Sequence, residues 1–152
     1  MTTTDATFAE DRARMRAVIE SFYERTSAKD LDSVLKLCTD DLRMRIPFDP
    51  FVSVREVVGK EAVRAVGKPA LEWYDSYRQI VTGIEPMLDP DVWLVTVKGD
   101  LFVRSTGRAY RNDYLTVFRF RDGKIAEWTT YHDPIRQMVA FGATELPALA
   151  DA

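Results

Sequence analysis

FRFRDGKIAEWTTYHDPIRQM, residues 118–138, is the stretch whose reading decides the fold. Asp122-Gly123 lies between two runs rich in β-branched and aromatic residues and is the strongest hairpin signal in the chain. Beyond the turn, Ala126, Trp128, Thr130 and His132 share one strand face, with Glu127, Thr129 and Tyr131 on the other. If Trp128 points inward, so does His132, the only histidine. The strand then runs into Asp133-Pro134, an acceptor side chain at an N-cap followed by proline at the first helical position, which starts a helix at DPIRQM. Asp133 therefore reads as a cap and not as a partner of His132, because adjacent strand residues face opposite ways.

Working outward, residues 78–87, 92–104 and 108–121 also read as strands, separated by LDPD and STG. In 92–104 the odd positions Trp93, Val95, Val97, Gly99, Leu101 and Val103 form the inward set. In 108–121 the inward set is the even one, with Asn112, Tyr114, Thr116, Phe118 and Phe120. The first half is different in kind. TFAE has a capping-box spacing, and Met15, Val18, Ile19, Phe22 and Tyr23 follow at helical intervals, which predicts a helix over 7–28. Asp30 opens a short second helix at LDSVLKLC. A strand over 42–48 alternates Leu42, Met44 and Ile46 with arginines until Pro47 and Pro50 break it. A third helix follows Gly59, carrying Val63, Val66, Leu71, Trp73 and Tyr74, with Pro69 as a point of bending. Helices first and a strand meander afterwards describe an α+β domain, a curved antiparallel sheet closed on one face by the helices.

Size and composition narrow the functional classes. The 152 residues fit one domain, 1–152, with an ordered core over 7–142 and loose ends at MTTTD and ELPALADA, the second either a flap or disordered. With 46% hydrophobic and 30% charged residues and no long apolar run, the chain has no membrane span. Its N-terminus lacks the basic-then-apolar pattern of a secretion signal, so a cytoplasmic location is expected. A net charge of −3 argues against nucleic acid as a partner. Cys38 reads as a buried, inert thiol, and one histidine with one distant cysteine makes no metal site.

Three pieces carry a resemblance: AKDLDSVLKLCTDDLRMRIP after the first helix, VGKEAVRA opening the third, and FRFRDGKIAEWTTYHDP near the end. Together they resemble the nuclear transport factor 2-like superfamily, in its SnoaL-like branch of polyketide cyclases and ketosteroid isomerase relatives. The resemblance implies a cone-like mixed sheet whose concave side holds an apolar small molecule, no cofactor, and a homodimer through the outer sheet face. It also implies what is missing. On the isomerase pattern the aspartate base falls at Ile46, the oxyanion-hole tyrosine at Phe22, and the second oxyanion donor at Thr116. On the epoxide hydrolase pattern the carboxylate after the tryptophan falls at Thr130, while the preceding arginine and aspartate correspond to Lys98 and Asp100, or to Val97 and Gly99. Neither set of reacting groups is retained.

What remains is His132, an imidazole on the same wall as Trp128 and Thr130. It is either a proton-transfer group or a polar side chain satisfied near a strand end. Tyr114 is its candidate catalytic companion. Asn112 and Thr116 either orient a ligand carbonyl or satisfy His132 in a structural network. Tyr23 is either core or a hydrogen-bond donor, and Asp49 in PFDPF either a turn residue or a displaced base. The expected ligand wall adds Thr130, Trp128, Phe118, Trp93, Val97, Leu101, Met44, Ile46, Phe22 and Trp73. Arginines 104, 111, 119 and 121 alternate along the outer face with Leu94, Phe102, Leu115 and Val117, a pattern that a dimer explains and that leaves anion binding as the alternative. Two functions are thus expected for a hydrophobic ligand, cofactor-free proton transfer (isomerase, dehydratase or cyclase) or binding alone. A third is a scaffold with a filled interior.

Overall fold

The computed structural model describes residues 3–51 and 55–145. Helix α1 spans Thr3–Ser27, α2 Leu31–Leu35, strand β1 Cys38–Arg45, β2 Glu56–Val58, α3 Lys60–Leu71, β3 Tyr74–Pro86, β4 Val92–Val103, β5 Arg108–Arg121, β6 Lys124–His132 and α4 Pro134–Ala140. The strands form one six-stranded sheet in the order β2-β1-β6-β5-β4-β3. Every pairing is antiparallel except that of β1 with β6, which makes the sheet mixed.

Local chemistry sets the breaks. Lys29 takes a left-handed conformation (φ 59°) that stops α1, and Asp30 then caps α2, its carboxylate accepting from the Ser33 amide at 3.1 Å. Asp122 and Gly123 both have positive φ (52° and 77°), the type I′ geometry that a two-residue hairpin needs between β5 and β6. Asp133 caps α4 by accepting from the amides of Ile135 (2.9 Å) and Arg136 (3.3 Å), with Pro134 in the first turn.

Alternation in β4 and β5 follows the expected parity, and the inward residues meet α1. Ile19, Phe22 and Tyr23 pack against Trp93, Val95, Val97, Phe118 and Trp128 in one cluster. A second, smaller cluster at the other end joins Tyr74, Leu101, Val103, Tyr110 and Ala140. Burying each large side chain contributes about 1.5–3 kcal/mol, so these two clusters hold the helices on the sheet.

Several element boundaries differ from expectation. α1 begins at Thr3 and not at Thr7, so part of the expected loose N-terminus is helical, with Asp5 placed favourably in the first turn. β1 starts at Cys38 and ends at Arg45, earlier at both ends than the strand expected over 42–48. α3 stops at Leu71, and Tyr74 already belongs to β3. Strand β2 escapes a pattern reading because three residues, Glu56, Val57 and Val58, are too short to show a period. The tail at residues 146–152 lies outside the described residues.

On the outer face, Phe102 and Leu115 are about two-fifths exposed. The arginines beside them are engaged: Arg104 with Asp75 (2.6 Å), Arg111 with Asp100 (3.4 Å), Arg119 with Asp89 (2.9 Å), and Arg121 with Asp41. Each of these four arginines has a carboxylate partner. No described helix is long and apolar enough to cross a membrane.

Candidate functional site

Between the concave sheet face and helices α1–α3 lies a cavity of about 220 Å³. His132 reaches its wall from the last residue of β6. Its parity follows from Trp128 and Thr130, which line the same cavity. One helical turn later Gln137, also on the wall, turns back so that its side-chain oxygen meets His132 Nε2. A carboxamide oxygen only accepts, so Nε2–H donates and, in the neutral ring, the lone pair sits on Nδ1. Nδ1 is buried and has no hydrogen-bond partner. The α4 cap therefore does two jobs, starting the helix and delivering the residue that sets the imidazole tautomer.

Tyr114 stacks on His132, with ring centroids 6.0 Å apart and planes 24° from parallel. Its place is made by Gly99 on β4. A Cβ at Gly99 would stand 2.5 Å from Tyr114 Cε2, so only a residue without a side chain leaves the ring where it is. Thr116 and Thr130 pair across β5 and β6 through their hydroxyls at 3.1 Å.

Phenols dominate the polar part of the wall: Tyr23, Tyr74, Tyr77, Tyr110 and Tyr114 all line the cavity. Burial pushes all five phenol pKa values upward, so they act as neutral hydrogen-bonding groups and not as bases. The Thr116 hydroxyl opposes this for Tyr23, yet no well-aligned bond forms and the Tyr23 hydroxyl stays unpartnered. Asp49 is 4% exposed and lies on the wall. It also serves its turn, its carboxylate accepting from the Phe51 amide at 3.3 Å. Cys38 is fully buried, and burial raises its thiol pKa to about 12.

Of the expected wall, the structure brings together Phe22, Met44, Ile46, Trp73, Tyr114, Thr116, Trp128, Thr130 and His132. Five others are placed elsewhere. Phe118 is sealed beneath Phe22 and Tyr23, whose rings meet it edge-on at 5.0 and 6.0 Å. Trp93 and Val97 lie in the same α1 core, and Leu101 belongs to the second cluster. Asn112 faces inward, but its amide is committed to structure. It donates to Tyr110 Oη (2.9 Å) and the Asp133 carbonyl (2.8 Å) and accepts from the amides of Asp113 (2.9 Å) and Asp133 (3.1 Å). Inward parity thus identifies a face, while the position of α1 decides which part of that face is core.

Wall residues absent from the expected set include Tyr74, Tyr77, Tyr110, Gln79 and Gln137. Tyr110 shares the parity of Tyr114 and was legible on that ground. Tyr74 was hidden by the helical spacing that continues past Leu71. Among the described residues, no group of three or more His, Cys, Asp or Glu side chains is arranged to hold a metal ion.

The fold has counterparts among known proteins. The uncharacterized Bacillus subtilis protein YesE is 25% identical over 128 residues, covering 84% of this chain and 87% of that protein. A phenazine biosynthesis-related protein of Pseudomonas aeruginosa superposes with a TM-score of 0.78 at 18% identity, over 94% of this chain and 89% of its own. An epoxide hydrolase of Mycobacterium tuberculosis, described as LEH-like, superposes with a TM-score of 0.67 at 17% identity, over 84% and 89%. Both structural likenesses are at the level of fold. Residues 19–128 match the model of the SnoaL-like domain, and the chain belongs to that family.

Proposed function

We propose that this protein binds a small, mainly apolar carbonyl compound in the cavity and moves a proton on it, with His132 as the acid-base group. The observation that carries this reading is the His132 ring on the cavity wall, its Nε2 held by Gln137 and its Nδ1 without a partner. Nδ1 would take a proton from the carbon beside the carbonyl, the C–H electron pair passing into the enolate and leaving an imidazolium. The imidazolium would return that proton at another carbon or to a departing hydroxyl. Tyr114, kept neutral by burial and stacked on the imidazole, would turn its hydroxyl from Tyr110 to donate to the developing enolate oxygen.

Deuterium uptake tests this without knowledge of the physiological substrate. Proton NMR of 2-tetralone, cyclohexanone and acetophenone in deuterated buffer should show catalysed loss of the signals next to the carbonyl for at least the compound that fits. The His132→Ala variant should lose about 10²–10⁴-fold of that rate with its fold intact. Exchange unaffected by the substitution, or no exchange above buffer for any probe, would reject catalysis by His132. The second reading, binding alone, is favoured by Ile46 and Thr130, both on the wall at positions where the resemblance to isomerases and epoxide hydrolases implies carboxylates. It predicts saturable binding of a probe with no deuterium uptake.

A further inference from the structure

Among the described residues, three buried polar atoms on cavity-wall side chains have no hydrogen-bond partner: Tyr23 Oη, His132 Nδ1 and Gln79 Oε1. The proton-transfer reading uses His132 and leaves Gln79 unexplained. Gln79 is held by its backbone, its amide donating to Ser27 Oγ at 3.0 Å and its carbonyl accepting from the same hydroxyl at 3.5 Å, so β3 is tied to the end of α1 at this point. Structure therefore uses the main chain of Gln79 and leaves its side-chain oxygen bare.

Its position gives that oxygen a meaning. Gln79 pairs with Gly99 on β4, whereas His132 lies on β6 opposite Tyr114 of β5. Two strands separate β3 from β6, which at the usual spacing puts the two residues on the order of 14 Å apart along the sheet. The acceptors Gln79 Oε1 and His132 Nδ1 thus belong to opposite side walls of one cavity, with apolar and phenolic surface between them. Volume limits what can lie there. A cavity of about 150 Å³ accepts benzene, and drug-sized ligands occupy about 300 Å³ or more; 220 Å³ falls between.

Building on the proposed binding function, we infer that the ligand is a compact molecule of one or two rings, polar at both ends. Its hydroxyl or N–H end is received by Gln79, and its reacting end is delivered to His132. Gln79 is then a specificity-determining residue, since an amide oxygen left bare against a methyl group rejects the analogue that a hydroxyl satisfies.

Two probes of equal shape test this, 2-naphthol and 2-methylnaphthalene, with binding to the full chain followed by titration calorimetry. The native protein should bind the naphthol at least about tenfold more tightly. Gln79→Leu should abolish that preference while keeping the affinity for 2-methylnaphthalene, and His132→Ala should preserve the preference. Gln79→Met, closest in length, reads the same quantity should the leucine variant fail to fold. Equal binding of both probes by the native protein, a preference that survives at Gln79→Leu, or one lost only at His132→Ala would overturn the assignment while leaving the binding function standing. A tetracyclic steroid ketone bound as tightly as the naphthol would overturn the size limit. Failure of every probe to bind would reject this inference and the binding function together.

Discussion

The two ends of the inner face are built from aromatic residues of similar size and opposite character. At one end Phe22, Phe118 and Trp128 meet edge-to-face, with Phe22 centred 5.0 Å from each of the other two. At the other, Tyr74 stands 5.2 Å from Tyr77 and 6.3 Å from Tyr110, with Phe141 against Tyr74 at 5.8 Å. The phenyl rings of Phe22 and Phe118 can be compressed under a helix with no polar atom to desolvate, whereas a phenol offers an apolar body and a polar tip that needs a partner or open space. The first end serves cohesion. The second brings the side chains of Tyr74, Tyr77 and Tyr110 to the cavity wall.

Substitutions should separate these two roles. The largest expected effect is at the cohesive end, where Phe118→Ala removes a ring with no exposed surface and should cost about 3–5 kcal/mol in urea denaturation. A loss below about 1 kcal/mol would mean that this end relaxes as freely as the other. Next comes the junction between the phenolic end and α4. Asn112→Leu keeps the volume but strips partners from Tyr110 and from both main-chain groups of Asp133, and should cost about 2 kcal/mol. It should also loosen α4, seen as faster amide hydrogen exchange at Gln137 and Met138; unchanged exchange there would detach the asparagine from the helix.

The smallest effect at neutral pH, and the most diagnostic, is alkaline titration. Burial raises the phenol pKa values of Tyr23, Tyr74, Tyr77, Tyr110 and Tyr114, so the folded state favours their protonated forms. Their contribution to stability is fully present below the ordinary tyrosine value of about 10 and is lost as pH rises above it. The absorbance increase of these five rings should therefore coincide with loss of circular dichroism. Ionisation of all five in a still-folded protein would contradict a closed phenolic end.

Much of the arrangement is legible in residue order, for reasons that also explain the gaps. Alternation in β4, β5 and β6 survives because one face is buried along nearly the whole length, so Trp93, Phe118 and His132 are assigned inward from parity alone. Parity says nothing about what covers each residue. Phe118 lies under α1, while Thr116, two residues away on the same face, reaches the cavity. The tie from Asn112 to Asp133 spans two elements meeting at an angle, and no periodicity encodes it. Tyr77 stays hidden because Trp73 and Tyr74 prolong an apolar helical spacing past the end of α3 at Leu71, and Gln79 because the strand expected over 78–87 carries no assigned inward set. The aspartate in PFDPF is the turn residue that its sequence allows, and it also lies on the cavity wall.

The parallel seam between β1 and β6 has a consequence for biosynthesis. Met44 and Trp128 sit opposite one another across it, and both face the cavity, although more than eighty residues of chain separate them. A ribosome must have extruded every residue from β1 through β6 before these two strands can meet. Closing so distant a pair is entropically slow, so the nascent helices and the β3–β5 meander wait beside an open sheet edge. The pocket comes into being last, when the final strand slots into the middle of the sheet and its histidine arrives with it.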